Sequence, residues 1–215
     1  MATVPPPELD AASVLDPTPA PTSLDASCAG MAMSEVEYAA VDDWDRAYRF
    51  ELLDGRIVVS PAPNFPARTL VEALSRKLWQ YFKAVDDSTL DHTTVAEQDI
   101  KTSSGVRRGD RVVWCGLGRT PKLADVPTIA VEIVSKDKRD RHRDFVEKRR
   151  EYLQAGVREY WIFDPFRRTL TVCTTAEGDA GRKVVKATGT YRTALLPGFE
   201  LSIAELLAEA DAVGG

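Results

Sequence analysis

One carboxylate stands inside an otherwise apolar run of the sequence. Glu132 is the only charged residue of PTIAVEIVS, residues 127–135, in which every second residue from Ile129 to Ile133 is β-branched. An ionised carboxylate in a sheet covered on both faces must be hydrogen-bonded, paired with a cation or bound to a metal. Two interpretations stay open: a functional carboxylate, or a partly solvated strand face on which Glu132 pairs with an arginine.

Two further acids could join Glu132 at a shared cation. Asp110 opens the predicted strand DRVVWC, on the same face as Val112 and Trp114, and Glu51 lies in the apolar hairpin arm FELL. Adjacent strands could bring Asp110 close to Glu132, and two carboxylates with phosphate oxygens and water are ligands that Mg²⁺ accepts. The alternatives are that Asp110 only serves the turn before its strand and that Glu51 is exposed at a sheet edge.

A lysine stands at the border of an amphipathic helix. Asp144, Lys148 and Tyr152 are spaced i, i+4 and i+8 on a helix predicted over residues 140–155. Such a lysine can reach over the sheet and polarise a water molecule near a phosphate, or lie along the surface and pair with Asp144. The surrounding stretch 136–150 holds eight bases and four acids. This composition suits a phosphate-binding surface, and equally a solvated helix start.

The composition argues against several other chemistries. Among 215 residues there are three cysteines without a C-x-x-C pair and two histidines, which disfavours a structural zinc site, a disulfide framework and a Ser-His-Asp enzyme. No apolar run reaches the ~20 residues that cross a bilayer, and the N-terminus does not have the pattern of a signal peptide. We therefore expect a cytoplasmic protein that does not engage membranes.

Charge and proline content divide the chain. The net charge of −5 comes from 28 basic and 33 acidic residues, and residues 1–45 contain nine of the acids and no base. We predict a disordered, acidic, Pro/Ala-rich tail over residues 1–33, one domain over 34–208 and a flexible C-terminus over 209–215. The tail is either a plain solubilising extension or a segment that shields a basic groove.

The hydrophobic periodicity predicts an α/β (α+β) fold. A capping box from Ser34 to Glu37 begins a first helix, and Asp54-Gly55 joins the arms of a β-hairpin. The later predicted elements are, in chain order, a helix over 67–84, strands over 93–101, 110–115 and 128–134, a helix over 140–155 ended by Gly156, strands over 158–163, 168–174 and 183–188, and a short terminal helix capped by Ser202. The brief β-α-β order favours parallel pairing of the strands on either side of the second long helix.

The joined motifs resemble one protein family. RFELLDGRIVV, GDRVV, PTIAVEIVS, RDFVEKRREY and AGVREYWIFDP follow one another in an order similar to that of the Uma family of bacterial restriction endonucleases, within the PD-(D/E)XK nuclease superfamily. The resemblance covers roughly residues 34–205. It implies a restriction-endonuclease-like core, in which a mixed central sheet is flanked by helices and preceded by an N-terminal helix and β-hairpin.

The resemblance also implies a catalytic site. It makes Asp110 the aspartate of the PD motif, Glu132 the acid of the (D/E)-x-K strand and Lys148 the catalytic lysine. Val134 stands where the superfamily usually has its lysine, and the family is thought to have moved that lysine onto the following helix. Glu51 would be a further metal ligand or a carboxylate that orients water. The implied ion is Mg²⁺, with Mn²⁺ as a substitute.

Other positions either match the family or depart from it. Asp144 and Tyr152 match, as residues that would orient Lys148. Gly109 replaces the proline that usually precedes the metal-binding aspartate, and residues 64–67 lack the histidine that commonly introduces the first long helix. Neither departure removes a predicted ligand.

The leading functional prediction is Mg²⁺-dependent hydrolysis of phosphodiester bonds in DNA, with a homodimer supplying two sites for two strands. One alternative is a catalytically inactive nucleic-acid-binding module on the same fold, and another is a pocket for a small phosphorylated ligand. The residues expected to contact nucleic-acid phosphates are Lys136, Lys138, Arg139, Arg141 and Arg143.

Overall fold

The secondary structure alternates strands with helices along the chain. The computed structural model describes residues 21–85, 92–176 and 181–214. The strands are β1 (Ser23–Leu24), β2 (Asp43–Trp44), β3 (Tyr48–Leu53), β4 (Arg56–Pro61), β5 (His92–Thr102), β6 (Gly105–Cys115), β7 (Ile129–Ile133), β8 (Glu159–Asp164), β9 (Thr169–Cys173), β10 (Arg182–Lys186), β11 (Thr190–Arg192) and β12 (Glu200–Ser202). The helices are α1 (Glu35–Ala39), α2 (Phe65–Ala84), α3 (Lys138–His142), α4 (Arg149–Ala155) and α5 (Ile203–Gly214). Within these ranges no helix is long and apolar enough to cross a membrane.

An eight-stranded mixed sheet forms the centre of the described chain. Its strand order is β10-β9-β8-β7-β6-β3-β4, and β5 pairs with β6 outside this path. β7 and β8 are parallel, as the brief β-α-β order predicts, and the other pairs are antiparallel. A parallel pair needs a crossover connection, which the helical residues 138–155 supply. The predicted mixed sheet with flanking helices is confirmed.

The two faces of the sheet bury separate apolar clusters. One cluster joins the sheet to α2 and α5 and includes Val131 and Trp161. The other joins it to the helical residues 138–155 and includes Ala130 and Tyr152. Successive residues of β7 therefore point to opposite faces, as strand geometry requires. Glu132 lies two residues after Ala130, so its side chain is on the same face of the sheet, under the helical residues 138–155.

The first hairpin forms as its turn sequence predicts. Asp54 and Gly55 both have positive φ, at 47° and 72°, which is the backbone of a type I′ turn. The turn pairs Leu53 with Arg56 and holds β3 against β4. β3 also pairs with the start of β6, and this contact brings the hairpin arm that carries Glu51 beside the central strands.

The long helical segment after β7 begins earlier than predicted and is not uniformly α-helical. Asp137 caps it, because Asp137 Oδ1 accepts from the main-chain N–H of Arg139 at 2.7 Å. Arg143–Lys148 form a π-helical segment between α3 and α4. The helix ends at Gly156, which has φ 105° in the left-handed region, as the sequence predicts.

The structure differs from the predicted start of the domain at residue 34. The capping box that begins α1 is present, but residues before it also pack into the fold. Leu24, Cys28 and Met33 are buried against the first hairpin in a third apolar cluster. The predicted tail residues 1–20 lie outside the described residues.

Two features after β10 also differ from the prediction. α5 continues to Gly214 and buries Ala210, so residues 209–214 are helical, although a flexible end was predicted. β11 and β12 form an antiparallel pair that the sequence analysis did not predict. Both strands have only three residues, too few to show a period of two.

We expect Leu24→Ala to lower the free energy of unfolding by about 2 kcal/mol or more, because the side chain is 3% exposed and its removal leaves a cavity. Leu123→Ala, at a leucine that is 43% exposed, should change it by less than about 0.5 kcal/mol. Urea unfolding of the full chain measures both. Equal, negligible losses would mean that the ordered domain does begin near residue 34.

Candidate active site

Asp110 and Glu132 lie opposite each other on adjacent strands. The antiparallel register pairs Arg111 with Val131, and one step further along it brings Asp110 opposite Glu132. Residues that are directly opposite project to the same face of the sheet. Each of these two residues is 3% exposed. The main-chain N–H of Ile133 donates to Asp110 Oδ2 at 2.5 Å, which fixes one oxygen of that carboxylate.

The ammonium group of Lys148 lies among buried oxygen atoms. Its Nζ donates to Glu132 Oε1 and to the main-chain oxygen of Arg108, both at 2.9 Å. It is also 3.0 Å from Glu51 Oε1. These three acceptors match the three N–H groups of an ammonium ion. Lys148 therefore reaches over the sheet instead of lying along the helix surface.

Glu51 is held as an anion by cations and a main-chain donor. Its Oε1 accepts from the N–H of Arg108 at 2.9 Å, and its Oε2 accepts from Arg107 Nη1 at 3.2 Å. Burial opposes ionisation, but the positive charges of Lys148 and Arg107 outweigh it and lower the pKa of Glu51 to about 2. Glu51 is 5% exposed, so the alternative prediction that it lies exposed at a sheet edge is wrong.

The pKa of Glu132 is shifted in the opposite direction. Burial raises its pKa, Lys148 opposes this, and the like charge of Asp110 adds to it, so the pKa lies above the ordinary carboxyl value. Tyr152 donates its hydroxyl to Glu132 Oε1 at 2.9 Å, and burial raises the pKa of Tyr152 well above its usual range. The pKa of Lys148 is also raised, because its carboxylate neighbours outweigh the effect of burial. Lys148 therefore stays charged at neutral pH.

Arg49 contacts the site and was not predicted. Its Nη2 forms an ion pair with Asp110 Oδ1 and another, at 2.5 Å, with Glu97 Oε1. Both oxygens of Asp110 are therefore engaged, one by Arg49 and one by the N–H of Ile133. Arg49 belongs to the hairpin motif, but no spacing in the sequence indicates which strand its side chain faces.

Arg107 and Glu151 form a second buried ion pair beside Glu51, which the sequence analysis also missed. Arg107 donates from Nε to Glu151 Oε2 at 2.7 Å and from Nη2 to Oε1 at 2.8 Å, a bidentate arrangement. This pair ties β6 to α4, the helix that begins one residue after Lys148. A useful signal was present, since Glu151 falls on the buried side of a predicted helix three residues after Lys148.

The π-helical segment carries both Asp144 and Lys148 on its inner side. Asp144 is 2% exposed, burial raises its pKa, and its Oδ1 has no hydrogen-bond partner within the described ranges. Asp144 and Tyr152 were predicted to orient Lys148. Tyr152 instead donates to Glu132, and no hydrogen bond joins Asp144 to Lys148 among the described residues. Departures from α-helical geometry of this kind are frequent at functional sites.

The predicted phosphate-binding bases are not equally available. Arg141 pairs with an aspartate of β8 at 2.7 Å, and Arg143 lies 3.2 Å from an aspartate three residues earlier. Lys136 lies over an aromatic ring, with 5.2 Å between its Nζ and the ring centroid. Lys138 and Arg139 are exposed, as is Lys136. These three exposed bases are the ones that can reach a ligand without breaking an ion pair described here.

The oxygen atoms of this site fit a hard divalent cation in chemical type. Carboxylates are the usual ligands of Mg²⁺, and Asp144 Oδ1 is a buried carboxylate oxygen that accepts no hydrogen bond in the described chain, with Arg143 Nε 3.5 Å away. Asp110 and Glu132 could supply further oxygens, although Arg49 must leave Asp110 Oδ1 first. Within residues 21–85, 92–176 and 181–214, no three His, Cys, Asp or Glu side chains are already grouped to hold a metal.

The fold and the site together define a class. A large mixed sheet flanked by helices is the fold of restriction-endonuclease-like nucleases. On this sheet, two acids lie opposite each other on adjacent strands and a buried lysine reaches them from the following helix.

The chain belongs to the Uma2 family. The family model, with the description "Putative restriction endonuclease", matches residues 37–204. The chain is also similar in fold to a crystal structure titled "a putative nuclease belonging to DUF820 from Anabaena variabilis ATCC 29413", with a TM-score of 0.63 and 14% sequence identity. The match covers 83% of this chain and 99% of that one. The comparison with curated proteins gives no match.

We expect the Glu132→Gln variant to gain stability relative to the wild type as pH rises. Because the pKa of Glu132 is raised in the folded protein, the unfolded chain binds fewer protons above the ordinary carboxyl pKa of about 4.3. The stability from Glu132 is therefore fully present below that value and lost as pH rises through the folded pKa. Glutamine does not ionise, and its amide oxygen can still accept from Lys148 and Tyr152.

Urea unfolding from about pH 5 to pH 9 measures this difference in the free energy of unfolding. Glu205→Gln, at an exposed position of α5, is the matched control and should follow the wild type. A difference between Glu132→Gln and wild type that does not change with pH would contradict the raised pKa.

Proposed function

We propose that this protein hydrolyses phosphodiester bonds in DNA with the help of a divalent cation, Mg²⁺ or Mn²⁺ as a substitute. The observation that carries the proposal is the buried contact of Lys148 Nζ with Glu132, Glu51 and the Arg108 carbonyl. A buried lysine among acids gives one site both the cation-binding oxygens and the fixed positive charge that phosphoryl chemistry needs.

Asp110 and Glu132, with Glu51, would hold the cation. When bound, the cation would neutralise charge on the phosphate and make water a better nucleophile. Asp110 would turn from Arg49 to the cation, and Glu51, with its lowered pKa, would remain ionised. The protein's own cations already pair with these acids, so the divalent cation enters the proposal for the positive charge it would bring to the phosphate.

Lys148 and Glu132 would have different tasks in this reaction. The raised pKa of Lys148 keeps its ammonium charged, so it would orient water and stabilise negative charge on the phosphate instead of accepting a proton. Glu132, whose pKa burial raises in the metal-free protein, would lose its proton as the cation binds and serve as a ligand. Tyr152 would hold Glu132 in place through its hydroxyl. Asp144, at the other end of the π-helical segment, would add negative charge that favours cation binding.

One observation favours a second function, the non-catalytic nucleic-acid-binding module. The acids are already neutralised by protein cations, because Arg49 pairs with Asp110 and Arg107 pairs with Glu51. Such pairing would keep an inactive site folded without any metal. In either function the exposed bases Lys136, Lys138 and Arg139 would contact phosphates. Cutting both strands of a duplex would need two sites, which a homodimer would supply.

We expect Glu132→Gln to weaken Mg²⁺ and Mn²⁺ binding by at least about tenfold, because it removes a charged oxygen ligand. Isothermal titration calorimetry of the full chain, with and without DNA, measures this. Glu205→Gln is the control and should bind as the wild type does. If the wild type binds neither ion under either condition, the binding module becomes the better account.

We expect Lys148→Met and Glu132→Gln to lower metal-dependent cleavage of DNA by about a hundredfold or more. Lys148→Met leaves two acids without their shared cation, so circular dichroism and thermal unfolding must show that it is folded. Lys148→Arg, which keeps the charge with a different shape, is a second test. Lys183→Met, at an exposed position of β10, is the control. Undiminished cleavage by folded variants would exclude these residues from the reaction.

A further inference from the structure

A cavity of about 480 Å³ lies between the first hairpin, the start of α2 and the paired strands β5 and β6. Its wall includes four arginines and two large aromatic side chains: Trp44, Arg46, Tyr48, Arg49, Arg68 and Arg108. Two glutamates, Glu72 and Glu97, also line it, so basic groups outnumber acidic ones by two. The volume is within the range of small-molecule pockets.

Two of these arginines are available to a ligand. Arg46 and Arg68 are exposed, and neither forms an ion pair with another residue in the described ranges. Arg49 and Arg108, in contrast, share Glu97, at 2.5 Å and 3.5 Å. Guanidinium groups without a partner in a concave site are suited to bidentate binding of a phosphate.

Trp44 adds an aromatic surface to the same cavity. Trp44 is 41% exposed. The guanidinium carbon of Arg108 lies 5.5 Å from the centroid of the Trp44 ring. The exposed ring of Trp44 offers a nucleobase a surface on which to stack. The nearby arginines without an ion-pair partner offer the phosphate of the same nucleotide a place to bind.

The cavity is joined to the acids and lysine of the candidate active site through two of its own residues. The side chain of Arg108 lines the cavity, while its main-chain N–H donates to Glu51 and its carbonyl accepts from Lys148. Arg49 lines the cavity and also pairs with Asp110. A strand held in the cavity would therefore contact two residues that also bind the buried acids and Lys148.

We propose that this cavity binds one unpaired nucleotide of a DNA strand, with its phosphate on Arg46 and Arg68 and its base against Trp44. The inference rests on the proposed function, because the strand would continue from the cavity to the acids. A base inside a duplex presents only its edges, and contact of its face with a side chain requires that it leave the stack. The substrate class is therefore DNA with an unpaired segment next to the cleaved bond.

The test is binding of a fluorescent oligothymidylate of roughly 20 nucleotides to the full chain, measured by anisotropy in EDTA so that no cleavage occurs. Trp44→Ala should weaken binding by about tenfold through the loss of stacking. Arg46→Ala with Arg68→Ala should weaken it and lower the slope of log Kd against log salt by about 0.7, because both arginines contact the same phosphate of a single strand.

The controls match each change. Trp79→Ala removes another exposed tryptophan, and Lys183→Ala with Lys186→Ala removes two charges at the far edge of the sheet. These variants should bind as the wild type does, apart from the small effect of net charge. Quenching of tryptophan fluorescence by the oligonucleotide should fall in Trp44→Phe, a variant that keeps an aromatic side chain in β2.

The outcomes separate this inference from the proposed function. Wild-type affinity and salt slope in both cavity variants, tighter binding of a duplex, or tighter binding of RNA of the same sequence would overturn the inference. If those variants bind normally while Glu132→Gln stops cleavage, the cavity assignment falls and the nuclease stands. If the cavity variants lose binding but the wild type never cleaves with any metal, the cavity assignment stands and the nuclease falls.

Discussion

The buried ammonium of Lys148 is the interaction on which the site depends. It joins the helical segment after β7 to Glu132 on β7, to Glu51 on β3 and to the main chain of β6. A buried charge without partners is costly, and removing one member of a buried pair typically costs about 3–5 kcal/mol. The helical segment and three strands must therefore be in place together before this lysine can be charged and buried.

The same cluster divides its acids into two kinds. Glu51 receives two cations and a main-chain N–H, which lower its pKa to about 2, whereas burial and like charge raise the pKa of Glu132. Both acids touch one ammonium ion, so the difference comes from Arg107 and the Arg108 amide on one side and from Asp110 on the other. One of the two acids is therefore an anion at neutral pH without any metal, whereas ionisation of the other is coupled to the charges beside it.

Short local patterns in the sequence were sufficient to predict several features of the fold. A charge in a β-branched run marked Glu132, Asp-Gly marked the hairpin turn, and Gly156 marked the end of the long helix. Helical spacing placed Lys148 at the border of the buried face, and the family motifs made it the catalytic candidate. Leu24 was missed because its turn-rich segment packs without any period.

The partners of the acids could not be predicted in the same way. An arginine in a strand has the same local pattern whether it is exposed or pairs across the sheet, so Arg49 and Arg107 gave no signal. Their burial depends on which strands become neighbours, and the order β7-β6-β3 is a property of the whole sheet. The π-helical segment was equally invisible, because apolar spacing over six residues cannot distinguish 3.6 residues per turn from a wider turn.

That segment also changes what a deletion would do here. Loss of one residue inside an α-helix rotates everything beyond it by about 100° relative to everything before it. Residues 143–148 already contain the wider turn, so losing one of them could leave a regular α-helix behind. The basic start of the helix and the half that holds Tyr152 would then keep nearly their present phase relative to each other. A deletion within this turn would therefore preserve the fold of the helix while it displaces Asp144 or Lys148 from its inner side.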